Sequence, residues 1–316
     1  MRSFLRFVAA VLLLFSGSAF AGEVRIAYLQ SDIHQLPCWV AMDKGFFAKE
    51  GVSVSVVGIF KAGPELMNAF SAGVLDMGYV GVAPAMTAVA NKTADVVLVA
   101  QVNSEGSGVV VGKRGIRSML DLTGKVVAIP GYSTVQDALF RKALIKAKMV
   151  SDQFRIIILK PPEMIGALRT DQIDAFVAWE PYPAKAVSMG VGKVLMMSGD
   201  IWRDHPCCVL AADRRFLDKN METVRKMVRA HSNAIEYILK NKNEAITIAV
   251  KHTGMDETSI ESAINNVKYT SELNVQGVKD YGEFLVNLKY VKIDDINVFA
   301  NRFISADFVR DAILNR

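Results

Sequence analysis

The chain has 316 residues, 51 % hydrophobic and 22 % charged, with 37 Lys and Arg against 32 Asp and Glu for a formal net charge of +5. That length is long for a single core and predicts two lobes. The mild charge, with no basic stretch interleaved with aromatics, argues against a nucleic-acid partner, and three Cys are too few for a disulfide scaffold.

The first residues predict a cleavable secretory signal peptide over 1–21. Arg2 and Arg6 give a basic start, Phe7 to Phe15 is an unbroken apolar run, and Ala19-Phe20-Ala21 is a small-x-small cleavage site. The run is too short for a bilayer that needs about 20 apolar residues. Cleavage lowers the net charge from +5 to +3, and no Cys sits at the cut to carry a lipid. No later segment reaches the length of a membrane span, so a soluble, exported chain is expected. For Cys38, Cys207 and Cys208, one disulfide plus one thiol and three free thiols both stay open. A bridge between the neighbours Cys207 and Cys208 would be strained.

Val24 to Tyr28 reads as a strand, Gln30 to His34 as a loop, and Leu36 to Lys49 as a helix stopped by Gly51. Val52 to Phe60 opens with the period-two alternation of a half-buried strand. Helix Pro64 to Ser71, strand Met77 to Val80, helix Pro84 to Asn91 and strands Val96 to Val102 and Gly108 to Gly112 follow. After a turn at Met119 to Leu122 the pattern repeats. Strands are expected at Val126 to Ile129, Arg155 to Leu159, Ala175 to Ala178 and Val194 to Met197. Helices at Thr134 to Ala147, Pro162 to Thr170 and Pro181 to Met189 alternate with them. Strand Cys208 to Ala212 comes next, and from Leu217 the pattern is mainly helical. Strand and helix alternating at this spacing predict an α/β fold with parallel sheets. The chain is read as leaving the first lobe (22–112), building a second (113–205) and returning (206–316). The lobes then enclose a cleft beyond the strand ends.

The loops after the strands share a chemistry. Lys61 to Pro64, Gly81 to Pro84, Gly131 to Thr134 and Pro161 to Glu163 each lead into a helix N-terminus. Free N–H groups and the helix dipole favour an anion there. Trp179-Glu180-Pro181-Tyr182 follows a strand and offers the cleft an apolar wall and one charge. No HExxH, Gly-x-Ser-x-Gly, Walker or Gly-x-Gly-x-x-Gly sequence occurs, so no catalytic residue, cofactor or metal is expected. None of His34, His205, His231 and His252 pairs with another at metal-ligand spacing. His205, near Cys207-Cys208 and beside Pro206, reads as structural.

Ala41-Met42-Asp43-Lys44-Gly45-Phe46-Phe47-Ala48-Lys49-Glu50-Gly51 resembles the AxxKGFFxxEG stretch of solute-binding proteins for sulfonates, taurine and nitrate. Ala62 to Phe70 followed by Gly73, Asp76, Gly78 and Pro84 is similar too, as are Pro161-Pro162, Ile173-Asp174-Ala175 and Trp179 to Tyr182. The resemblance runs in order over Val24 to Phe216. It implies the periplasmic component of an ABC importer, a monomer that docks on a permease served by an ATPase. The implied fold is the two-lobed periplasmic-binding-protein type 2 fold. Each lobe would be a mostly parallel sheet flanked by helices, with two strand-like hinges between the lobes. Carried over by position, Gln30, Ser31, Gly81, Val82, Ser133, Thr134, Trp179 and Glu180 would line the cleft. Glu180 stands where some sulfonate-binding members carry Asp, while His34 and Cys38 are not features of that pattern.

Glu180 would repel a pure anion, since a charge pair at about 4 Å and an effective dielectric near 20 is worth roughly 4 kcal/mol. This favours a ligand with a cationic end, or a neutral heterocycle whose N–H groups donate to Glu180; the solute expected is a small anionic or zwitterionic one of the aliphatic sulfonate or taurine kind. A thiamine-precursor pyrimidine or other heterocycle, nitrate, and a sensing role are the alternatives.

Overall fold

The computed structural model describes residues 23–112 and 115–314. The expected signal peptide, residues 1–21, lies outside the described residues. Eleven strands occur among the described residues: β1 Val24–Leu29, β2 Val54–Phe60, β3 Met77–Gly81, β4 Val96–Glu105, β5 Ser107–Val111, β6 Val126–Ile129, β7 Arg155–Ile158, β8 Ala175–Trp179, β9 Lys193–Met197, β10 Pro206–Asp213 and β11 Val267–Tyr269. They form a six-stranded sheet in the order β11-β4-β10-β3-β1-β2 and a five-stranded sheet in the order β7-β6-β8-β5-β9.

Each sheet has a parallel heart, β2-β1-β3 in one and β7-β6-β8 in the other. A parallel connection needs a crossover long enough for a helix. Leu36–Asp43, Gly63–Ser71, Val135–Lys146 and Pro161–Arg169 supply these crossovers. The strands that carry the chain between lobes run the other way. β10 is antiparallel to β3 and β4, and β5 is antiparallel to β8 and β9. Both sheets are therefore mixed, with the expected parallel pairing confined to the βαβ units.

The chain passes from one sheet to the other at Glu105 and Gly106, both with positive φ of 60° and 84°. β5 therefore belongs to the second sheet, although its residues precede the boundary expected at 113. The return passes through His205 into β10, and the Glu105 N–H donates to the His205 carbonyl at 3.2 Å. The two crossings thus run side by side. The helix expected over Leu36 to Lys49 is two helices, Leu36–Asp43 and Phe46–Lys49, broken where Gly45 turns left-handed at φ 68°. Strands β3, β4, β5, β8 and β10 are almost wholly buried, and helices from Met221 onward close the first lobe. Among the described residues no helix is long and apolar enough to cross a membrane.

Candidate functional site

A cleft lies where the strand ends of the two lobes face each other. The first lobe contributes Leu29, Asp32, His34, Gly63, Gly81 and Pro84, the second Thr134, Val135, Gln136 and Trp179, and the returning strand Cys207 and Cys208. The lobes are closed on it, leaving a free volume of about 10 Å³, on the order of one water. A solute of several atoms therefore enters only when the lobes part.

Three helix N-termini reach this cleft. Gly63–Ser71 and Val82–Ala90 start from Ala62 and Gly81, neither of which offers a capping side chain. Their first N–H groups have no intrahelical partner. Val135–Lys146 is capped by Thr134, whose hydroxyl accepts from Asp137 N–H and donates to the Gly131 carbonyl. A Cβ on Gly81 would sit 3.1 Å from Val135 Cγ2 of the opposite lobe, so the bare backbone permits that close approach. Trp179 Nε1 is buried and has no hydrogen-bond acceptor among the described residues. Leaving such a donor unpaired costs about 1–3 kcal/mol, which an acceptor on a solute would recover.

Of the residues expected at the cleft, Gly81, Thr134 and Trp179 line it. Val82 is the buried first residue of its helix, and half-buried Ser133, at φ 59°, donates its N–H to the Asp137 carboxylate. Gln30 is exposed, with its N–H on the Phe60 carbonyl, and Ser31 donates its hydroxyl to the Thr253 carbonyl. Glu180 is fully buried and does not line this cleft. Its carboxylate accepts from Ala184 N–H at 3.0 Å, at the start of its own helix, and from Asn266 Nδ2 at 2.7 Å. Burial pushes its pKa up against those two bonds. The carboxylate at the cleft is instead Asp32, fully buried and holding His34 N–H and Gln35 Nε2.

His34, outside the family pattern, stands at the centre of the cleft's polar contacts. Its Nε2 lies 2.9 Å from the Gly106 carbonyl, an oxygen that can only accept, so Nε2 carries a proton. Nδ1 then faces Asp32 Oδ1 at 3.2 Å, Cys207 Sγ at 3.6 Å and Cys208 Sγ at 3.7 Å. Burial lowers the His34 pKa, but Asp32 and the other partners outweigh it and bring it to about 9. Only glycine fits at 106, because a methyl there would run into the His34 ring. His205, by contrast, packs against Trp202 and Tyr281, and burial lowers it to about 4. It is not part of the cysteine cluster.

A Brucella abortus protein named for binding, with no ligand specified, is 29 % identical over 262 residues, 81 % of this chain and 80 % of that one. The taurine-binding periplasmic protein of Escherichia coli is 26 % identical over 268 residues, 82 % of each chain. The crystal structure of the periplasmic nitrate-binding protein NrtA from Synechocystis superposes with a TM-score of 0.84 at 18 % identity, covering 93 % of this chain and 88 % of that one. The fold is thus the two-lobed α/β fold of periplasmic binding proteins. Residues 21–251 match the NMT1-like family, and the chain belongs to that family.

Proposed function

We propose that this chain is the solute-binding component of an ABC importer, a periplasmic monomer that closes on a small anionic or zwitterionic solute and delivers it to a permease and its ATPase. The observation that carries this reading is the convergence of uncharged donors from both lobes on one cleft. Two helix N-termini without side-chain caps reach it from one lobe, and Trp179, whose indole N–H is buried and unpaired, lines it from the other. Such donors bind an oxyanion without a full counter-charge. Asp32, already paired with the charged His34 ring, keeps a carboxylate at the cleft that a cationic end would share, which favours a taurine-like aminosulfonate. The relatives named for sulfonate, taurine and nitrate point to the same ligand classes.

The test is a thermal-shift series on the purified protein with taurine, short alkanesulfonates, nitrate and sulfate. A ligand at 100 times its Kd adds about 2.7 kcal/mol to the folded state, and taurine is expected to raise Tm most. Trp179→Phe keeps the wall and removes the N–H, so affinity for the best solute should fall about 5- to 10-fold, the worth of one hydrogen bond. No shift with any of the four, or an unchanged affinity in Trp179→Phe, would remove the reading.

A further inference from the structure

We infer that His34, Cys207 and Cys208 form a site for a single thiophilic d10 metal ion, Zn(II) or Cu(I), inside the interlobe cleft. The inference rests on side-chain geometry and does not depend on which solute the cleft takes. All three residues are buried, and their ligating atoms lie within 4.8 Å of one another. All three cysteines of the chain are free thiols.

Hydrogen bonding alone does not account for the arrangement. Nδ1 of His34 makes one hydrogen bond in line, and in the charged ring its proton faces Asp32 Oδ1 at 3.2 Å. Yet two sulfurs stand at nearly the same distance from it, 3.6 and 3.7 Å. Metal bonds of about 2.3 Å to sulfur and about 2.0–2.1 Å to nitrogen place S and N about 3.6 Å apart at tetrahedral angles and about 3.8 Å apart at trigonal ones. The observed spacings fall in that range.

The outer contacts match those that orient a metal-bound imidazole. Nε2–H is held by the Gly106 carbonyl, which aims Nδ1 at the sulfurs and fixes the tautomer. Gln35 Nε2 lies 3.7 Å from Cys208 Sγ and 2.8 Å from Asp32 Oδ2, where it would steady a thiolate. Asp32 Oδ1, 3.2 Å from Nδ1, supplies negative charge next to the ion. Two thiolates and an imidazole select a soft or borderline ion over Mg(II) or Ca(II). His34, Cys207 and Cys208 all line the closed cleft. Three protein ligands would leave a coordination position open to the cleft.

The experiment uses the purified protein, reduced and handled without oxygen, then loaded separately with Zn(II) and with Cu(I) against a chromogenic chelator. One equivalent of at least one of these ions per chain is expected, and Cd(II) as a probe should give a thiolate-to-metal charge-transfer band. Cys207→Ser with Cys208→Ser should abolish the band and the uptake. His34→Ala should weaken binding at least about 10-fold, the lower range for perturbing a metal's surroundings. Cys38→Ser, whose thiol is not in the cluster, should bind as the parent does. If the double variant does not fold, the parent protein decides the matter through alkylation: the bound ion should protect two thiols per chain, and no protection overturns the inference. Uptake below one equivalent for both ions, a missing charge-transfer band, or binding unchanged in the double variant overturns it as well. A taurine shift in the metal-free protein would still stand, so the two readings fail independently.

Discussion

His231 lies on the helix Met221–Lys240, fully buried, with its ring against Tyr79 and its Nε2 2.8 Å from the Gln101 carbonyl. That carbonyl requires a proton on Nε2, while Nδ1 has no partner among the described residues. Burial lowers the pKa to about 4, partly opposed by the bond to Gln101. In the unfolded chain the group titrates near its ordinary value of about 6.5. The unfolded state therefore binds the proton first as pH falls, so stability present above about pH 6.5 is lost as pH drops towards about 4. At 1.36 kcal/mol per unit the full loss is about 3 kcal/mol. His231→Gln keeps an amide donor for Gln101 and removes the titration. It should be less stable than the parent at pH 7 through lost packing, with the gap narrowing by up to about 3 kcal/mol near pH 4. Denaturant melts at both pH values measure this, and a gap that stays constant would show that His231 does not titrate on unfolding.

The N-termini of Val82–Ala90 and Val135–Lys146 meet across the cleft, and a Cβ added at Gly81 would sit 3.1 Å from Val135 Cγ2. Gly81→Leu keeps an allowed φ of −64° but fills the space held open for Val135. The lobes should then fail to close, raising the radius of gyration in small-angle scattering and weakening solute binding at least about 10-fold, since only the closed fraction binds. A scattering profile identical to the parent's would refute it. The alternation of strand and helix is legible in the sequence because Gly and Pro mark the strand ends and β1, β2, β6 and β7 follow helix-separated apolar runs. The sheet that receives β5 is not, since Ser107–Val111 reads as a strand in either lobe and only pairing with β8 and β9 decides. Glu180 is expected at the cleft from its place after a strand, but four residues on lies Ala184, whose N–H the carboxylate reaches within its own turn. The cysteine cluster is hidden twice over. His34 stands 173 residues from Cys207, and neighbours on a strand point to opposite faces. Register shifts on both sides of Cys208 break that alternation in β10, and a bulge re-aims side chains in this way. Both sulfurs therefore reach one imidazole.

At the scale of the whole molecule, the two lobes are joined by adjacent crossings at Glu105–Gly106 and His205 and held shut by contacts across the cleft mouth. Lys160 Nζ lies 2.6 Å from Glu65 Oε1, with side chains 27 % and 39 % exposed, so solvent screens this pair and its worth is about 0.2–1 kcal/mol. Tyr290 donates its hydroxyl to Asp137 Oδ2 at 2.7 Å. Asp137 is buried, pairs with Arg141 and sits in the first turn of Val135–Lys146, so this bond is charge-assisted and poorly screened, worth about 1.5–3 kcal/mol. Both contacts join residues of opposite lobes and so exist only in the closed form. Tyr290→Phe should therefore open the unliganded protein more than Glu65→Gln does. The shift amounts to about 10-fold or more in the open-to-closed ratio for the tyrosine and about 2- to 5-fold for the glutamate. Salt separates the two. At 1 M the Debye length is about 3 Å, so high salt should move the parent towards the Glu65→Gln distribution and leave the Tyr290→Phe increment in place. Scattering or a fluorophore pair placed on the two lobes reads the distribution. Equal salt sensitivity of both variants would mean that closure is governed by the general field of the charged surface rather than by these two contacts.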